Sequence, residues 1–114
     1  MLLSAPSAAG YAGPAWFAAV AAEALQAAPE AEILPVLDCG DQTGHALAAL
    51  RHGLAGIRYK GTASDRIDAL AGQYGAVLFD ERPDSLDLAE YDNESPDAWR
   101  AACRNWLATD QPVV

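Results

Sequence analysis

Ile33-Leu34-Pro35-Val36-Leu37-Asp38-Cys39-Gly40-Asp41-Gln42-Thr43-Gly44-His45 is the stretch on which the fold turns. Its first part is a short, continuous apolar run, the pattern of a strand covered on both sides in a parallel sheet. The polar turn Asp38–His45 follows, and then Ala46-Leu47-Ala48-Ala49-Leu50 reads as a helix ending near Gly53, with Leu47, Leu50 and Leu54 as its inward stripe. Strand, turn and helix in that order make one βα unit. Pro35 has no N–H to give to a ladder, so it argues for an edge strand or an irregular strand start.

The pattern repeats on either side. Leu2–Leu3 precede a Ser/Ala/Pro/Gly segment, and Pro14 then stands where the first turn of a helix tolerates a missing N–H. In that helix Trp16, Phe17, Val20, Ala24 and Leu25 share a face, while alanine fills most of the other and Glu23 and Gln26 are its polar members. A helix apolar nearly all round is usually buried on more than one side, which in a short chain suggests a subunit interface. Ile57–Lys60 reads as a third strand and Asp65–Gln73 as a third helix, with Ile67, Leu70 and Tyr74 at helical spacing and Gly75 as its stop. Ala76–Phe79 is a fourth strand. An acidic connection over 80–95 then leads to the best-marked helix start in the chain, with Ser95 as N-cap, Pro96 at the first position and Asp97 beside the positive helix end. Trp99, Ala102, Cys103 and Trp106 form one stripe of that helix, and residues 109–114 are a tail.

The strands recur at steps of twenty residues, at Leu37, Ile57 and Val77, which is the size of a compact βα unit rather than a repeat, because equivalent residues do not match. The order β-α-β-α-β-α-β-loop-α predicts a small, open, mainly parallel four-stranded α/β sheet with helices packed on its faces. A chain of 114 residues has room for one such domain. Hydrophobic residues make up 52%, enough for a packed core, but much of that share is alanine, which buries little area per residue.

Charge and cysteine narrow the function classes. Seven Lys+Arg against sixteen Asp+Glu give a net charge of -9, so nucleic-acid backbones and anionic lipid surfaces are repelled. No Lys or Arg precedes Arg51, whereas Asp80, Glu81, Asp84, Asp87, Glu90, Asp92, Glu94 and Asp97 crowd one stretch around Arg82. That stretch reads as a solvated connection, without the ligand spacing of a calcium loop. Cys39 and Cys103 form neither a disulfide framework nor a zinc spacing, which fits two reduced thiols in a cytoplasmic protein. The apolar run Ala15–Ala22 lacks a positive flank and is too short for a membrane span.

Parallel sheets gather ligands beyond the carboxyl ends of their strands. That rule selects Ser4 and Ser7 after the first strand, Asp38 to His45 after the second, Lys60 and Thr62 after the third, and Asp80, Glu81 and Arg82 after the fourth. The candidate ligand-binding residues are therefore Ser4, Asp38, Asp41, Thr43, His45 and Lys60. Asp38 or Asp41 would serve as base or cation ligand, His45 as acid/base group, Thr43 as hydrogen-bond donor and Lys60 as an imine-forming amine. Against this stands a structural reading in which Asp41 or Thr43 caps a helix, Gly40 and Gly44 shape a turn, and Cys39 is simply buried. No glycine-rich phosphate loop is present, no cofactor or metal is implied, and no motif specific to a family stands in the chain. The expectation is a small acidic cytoplasmic protein that acts by binding, as a self-associating accessory or regulatory domain whose partner is a second copy or another protein. The alternative is an enzyme acting on a small carbonyl or hydroxy-acid metabolite at the sheet's carboxyl edge.

Overall fold

The computed structural model describes residues 1–108, so the expected tail at 109–114 lies outside the described residues. Strands β1 (Leu2–Leu3), β2 (Pro35–Asp38), β3 (Gly56–Arg58) and β4 (Val77–Phe79) form one sheet in the order β1-β2-β3-β4, every pair parallel. The expected α/β architecture is what the chain adopts. Helices α1 (Gly13–Ala27), α2 (Thr43–Arg51) and α3 (Ser64–Tyr74) make the three crossovers, and α4 (Pro96–Leu107) follows β4 after a 3-10 turn at Leu88–Tyr91.

Because the strand order never reverses, right-handed crossovers put α1, α2 and α3 side by side on one face. Register confirms it. Leu37, Ile57 and Leu78 are neighbours across β2, β3 and β4, and they pack in one core with Phe17 of α1, Leu50 of α2 and Ile67 of α3. Leu37, Leu50, Ile57 and Ile67 are almost wholly buried, at about 2 kcal/mol of transfer free energy each. Strand residues one step away point to the opposite face: Leu3, Val36, Gly56 and Val77 in one row, then Asp38, Arg58 and Phe79 in the next.

Pro35 does not mark an edge. It is the first residue of the central strand β2, where the missing N–H falls outside the ladder. Helix α2 begins at Thr43, three residues before the apolar run that announces it, and its N-cap Gln42 makes no side-chain cap, so neither Asp41 nor Thr43 caps it. Gly75 ends α3 in the left-handed conformation, and Ser95 Oγ accepts from the Ala98 N–H, both as the sequence indicates.

The helices differ from expectation in burial. In α1 only Phe17 and Ala21 are buried, while Trp16 and Leu25 are exposed, so within the chain this helix is covered on one side only. Helix α4 has a clear apolar stripe and no buried residue at all. Of the three tryptophans, Trp16 and Trp99 are exposed and Trp106 is half-buried. Among the described residues no helix is long and apolar enough to cross a membrane.

Candidate functional site

The carboxyl ends of β2 and β3 carry Asp38 and Arg58, which are register partners and so lie side by side on the face without crossover helices. Asp38 is completely buried. Its Oδ1 accepts from the Gly40 N–H at 2.8 Å and lies 3.6 Å from Arg58 Nη1, a charge contact longer than a hydrogen bond. Its Oδ2 accepts from Arg82 Nη1 at 2.8 Å. Arg82 belongs to the acidic segment, which thereby returns across the sheet to a residue 44 positions earlier. Arg58 Nε donates to the Asp80 carbonyl at 3.1 Å, and the Asp38 N–H donates to Ser4 Oγ at 2.9 Å. Through its backbone N–H and its carboxylate together, Asp38 thus joins the ends of β1, β2 and β3 and the chain beyond β4.

The turn after β2 is shaped by close approach. Gly40 has a φ of 58°, and a Cβ there would lie 2.6 Å from Ser7 Oγ. Ser7, a non-glycine residue, itself adopts φ 53°, a conformation that costs free energy and is held by its surroundings.

On the helix-covered face, Thr43 Oγ1 is 2.7 Å from Tyr59 Oη, which also accepts from the Ala63 N–H at 3.2 Å. Thr43 is thus engaged in tying α2 to the end of β3. Asp41 is exposed and accepts from Gln42 Nε2. His45 leans towards the turn after β1, where its Cε1 would meet a methyl on Gly10 at 3.4 Å. Lys60 is exposed and pairs with Glu81, beyond β4. That hydrogen bond and the Glu81 charge hold the Lys60 ammonium above the ordinary lysine range, the opposite of what an imine-forming amine requires. Of the six candidates, Ser4 and Asp38 meet in one network, while Thr43, Asp41, His45 and Lys60 each engage a different neighbour.

Cys39 is buried against the core, its Sγ directed at the Leu37 carbonyl at 3.7 Å. Burial, with the Asp38 charge adding to it, pushes its pKa from 9.0 up to about 12. A thiol so poorly ionised is a structural residue rather than a nucleophile. The thiolate population at about pH 8 falls about 1000-fold, so iodoacetamide should leave Cys39 unlabelled in the native protein and label it once denatured. Mass spectrometry of trapped peptides reads this directly, and rapid native labelling of Cys39 would contradict it. The pH dependence has a definite sign. The unfolded thiol loses its proton near 9.0 and the native one near 12, so this contribution to stability is full below about pH 9 and is lost as pH rises towards 12.

The residues that hold this site together and that the candidate set omits are Arg58, Arg82 and Tyr59. Arg82 could be placed at the carboxyl edge from its position after β4, but its partner could not. Arg58 reads as an ordinary alternating strand residue. A hollow of about 360 Å³ beside α3 is lined by Asp65, Asp68 and Asp80, yet among the described residues no group of three or more His, Cys, Asp or Glu side chains is arranged to hold a metal ion. The fold and this rim define a small parallel α/β protein built around a buried carboxylate with two arginines. No family model matches the chain, and no match was found among curated proteins or solved structures.

Proposed function

We propose that this protein acts by binding, as a self-associating accessory or regulatory domain in which α4 meets a second copy of the chain. The observation that carries the reading is the amphipathic α4, whose stripe holds no buried residue while Trp99 is 42% and Leu107 is 54% exposed. Beside it lies a mainly apolar cleft of about 320 Å³, whose lining includes Met1, Leu2, Ile33, Cys103 and Leu107 together with Glu32. Helix and cleft are adjacent on one surface, so a two-fold arrangement lets the large side chains of each copy seat in the cleft of the other. A stable pair needs about 800 Å² per partner, roughly a tenth of the 6937 Å² accessible surface.

An enzymatic role is the weaker reading. It asks Asp38, Asp41, His45 and Lys60 to act together, whereas Asp38 is occupied by arginines, Asp41 is bonded to Gln42, Lys60 is held protonated by Glu81, and His45 lies by Gly10.

Light scattering at micromolar concentration tests the proposal. A dimer is expected, and because each copy carries a net charge of -9, added salt should tighten it by screening the mutual repulsion. Leu107→Asp places a charge in the apolar contact and should give a monomer with an unchanged circular dichroism spectrum. A protein that stays monomeric at high salt, or a Leu107→Asp variant that dimerises as the wild type does, overturns the reading.

A further inference from the structure

We propose that Arg82, held in place by the buried Asp38, forms the inner wall of a binding site for a small monocarboxylate carrying a hydrogen-bond donor, such as a hydroxy or amino acid. This goes beyond self-association and is independent of it. Two guanidinium groups face one buried carboxylate, which leaves one positive charge uncompensated within the cluster, and both arginines are largely covered, with side-chain exposures of 19% and 22%. Partial desolvation of this kind makes a cation a stronger anion ligand than it is in water.

Donor geometry is the second step. A guanidinium carries five N–H donors in a rigid fork suited to a carboxylate. Arg58 commits Nε to the Asp80 carbonyl, and Arg82 commits Nη1 to Asp38. The remaining Arg82 donors have no protein acceptor among the described residues. Arg82 also lines a cleft of about 300 Å³ together with Ala5, Pro6, Ser85, Asp87 and Ala89, an open space of ligand size at the carboxyl end of β1.

The other wall sets the ligand class. Asp87, whose Oδ1 accepts from the Ala89 N–H, lines the same cleft as Arg82. A dianionic phosphate would meet that negative charge. A monocarboxylate placed on Arg82 with a hydroxyl or ammonium turned towards Asp87 matches both walls, and the Ser85 hydroxyl supplies one further polar contact.

The test is titration of the isotopically labelled full chain with glycolate, glycine, acetate and inorganic phosphate, followed by amide NMR shifts at Gly40, Ser85 and Ala89. Glycolate or glycine should saturate with a dissociation constant of about 1 mM, the level that so few heavy atoms can reach. Acetate, lacking a donor, and phosphate, facing Asp87, should bind more weakly. Arg82→Gln should lower affinity about tenfold or more. Ala89→Trp, a change at an exposed position of the cleft lining that bonds neither Asp38 nor its arginines, should block the cleft and abolish the shifts even if Arg82→Gln fails to fold. Three results would each overturn the site: no saturable shifts with glycolate or glycine, phosphate binding tightest, or unaltered binding in Ala89→Trp. None of them depends on the oligomeric state.

Discussion

Replacing Asp38 with alanine is expected to lower folding stability by about 3–5 kcal/mol, the range for breaking a buried ion pair by removing one partner. Three groups lose their acceptor at once: the Gly40 N–H, Arg82 Nη1 and, by charge alone, Arg58. The arginines retain some access to water, so they rehydrate in part and the cost should fall towards the lower end of that range. Asp38→Asn keeps the volume and an acceptor for Gly40 but removes the charge, and should cost less, about 2 kcal/mol. Urea unfolding of the two variants measures both values. Removal of Arg82 in the Asp38→Asn background should then cost less than in the wild type, because the pair no longer exists. If Asp38→Ala unfolds within about 1 kcal/mol of the wild type, the network does not hold the sheet ends together, and the account given for Arg82 fails with it.

Gly61→Ala carries the second large effect, about 3 kcal/mol, at the upper end of what overpacking costs. A Cβ at Gly61 would lie 2.5 Å from Tyr59 Oη, 2.7 Å from Tyr59 Cζ and 2.9 Å from the Asp41 carbonyl oxygen. Tyr59 is fully buried and its hydroxyl is bonded to Thr43 and to the Ala63 N–H, so the ring cannot withdraw without giving up both bonds. The contrast is Gly72→Ala in the interior of α3, where an added Cβ meets nothing within 4 Å. There the helix propensity of alanine should stabilise the fold by about 1 kcal/mol. Thermal unfolding of the pair therefore reads two effects of opposite sign from the same substitution. Equal effects at Gly61 and Gly72 would show that the contact with Tyr59 is unimportant.

Much of the architecture was legible locally. The apolar runs at Leu2–Leu3, Val36–Leu37, Ile57 and Val77–Phe79 lie within their strands, Gly75 stops α3, and Ser95 with Pro96 starts α4, because caps and alternation act within one turn or one strand. Helix α1 was less transparent. Its alanines make every side look apolar, so which side faces the sheet was set by packing around Phe17 and Ala21.

The site was legible only in part. Ser4 and Asp38 could be selected from their places at strand ends, yet the reason Asp38 matters lies in Arg58 and Arg82. Pairing Asp38 with Arg58 requires the register of two parallel strands separated by a helix, and pairing it with Arg82 requires the path of a segment that carries no periodic signal.

The amino-acid order was sufficient to specify the alternation of strands and helices, the acidic surface and the positions where helices begin and end, since each depends on side chains a few residues apart. Assembly of the sheet settled the remainder: the crossover helices gathered on one face, the carboxylate sealed between two arginines, and α4 left with its apolar stripe only partly covered. Those outcomes depend on which strands lie next to one another and on how distant charges are desolvated together, and no short window of residues contains that information.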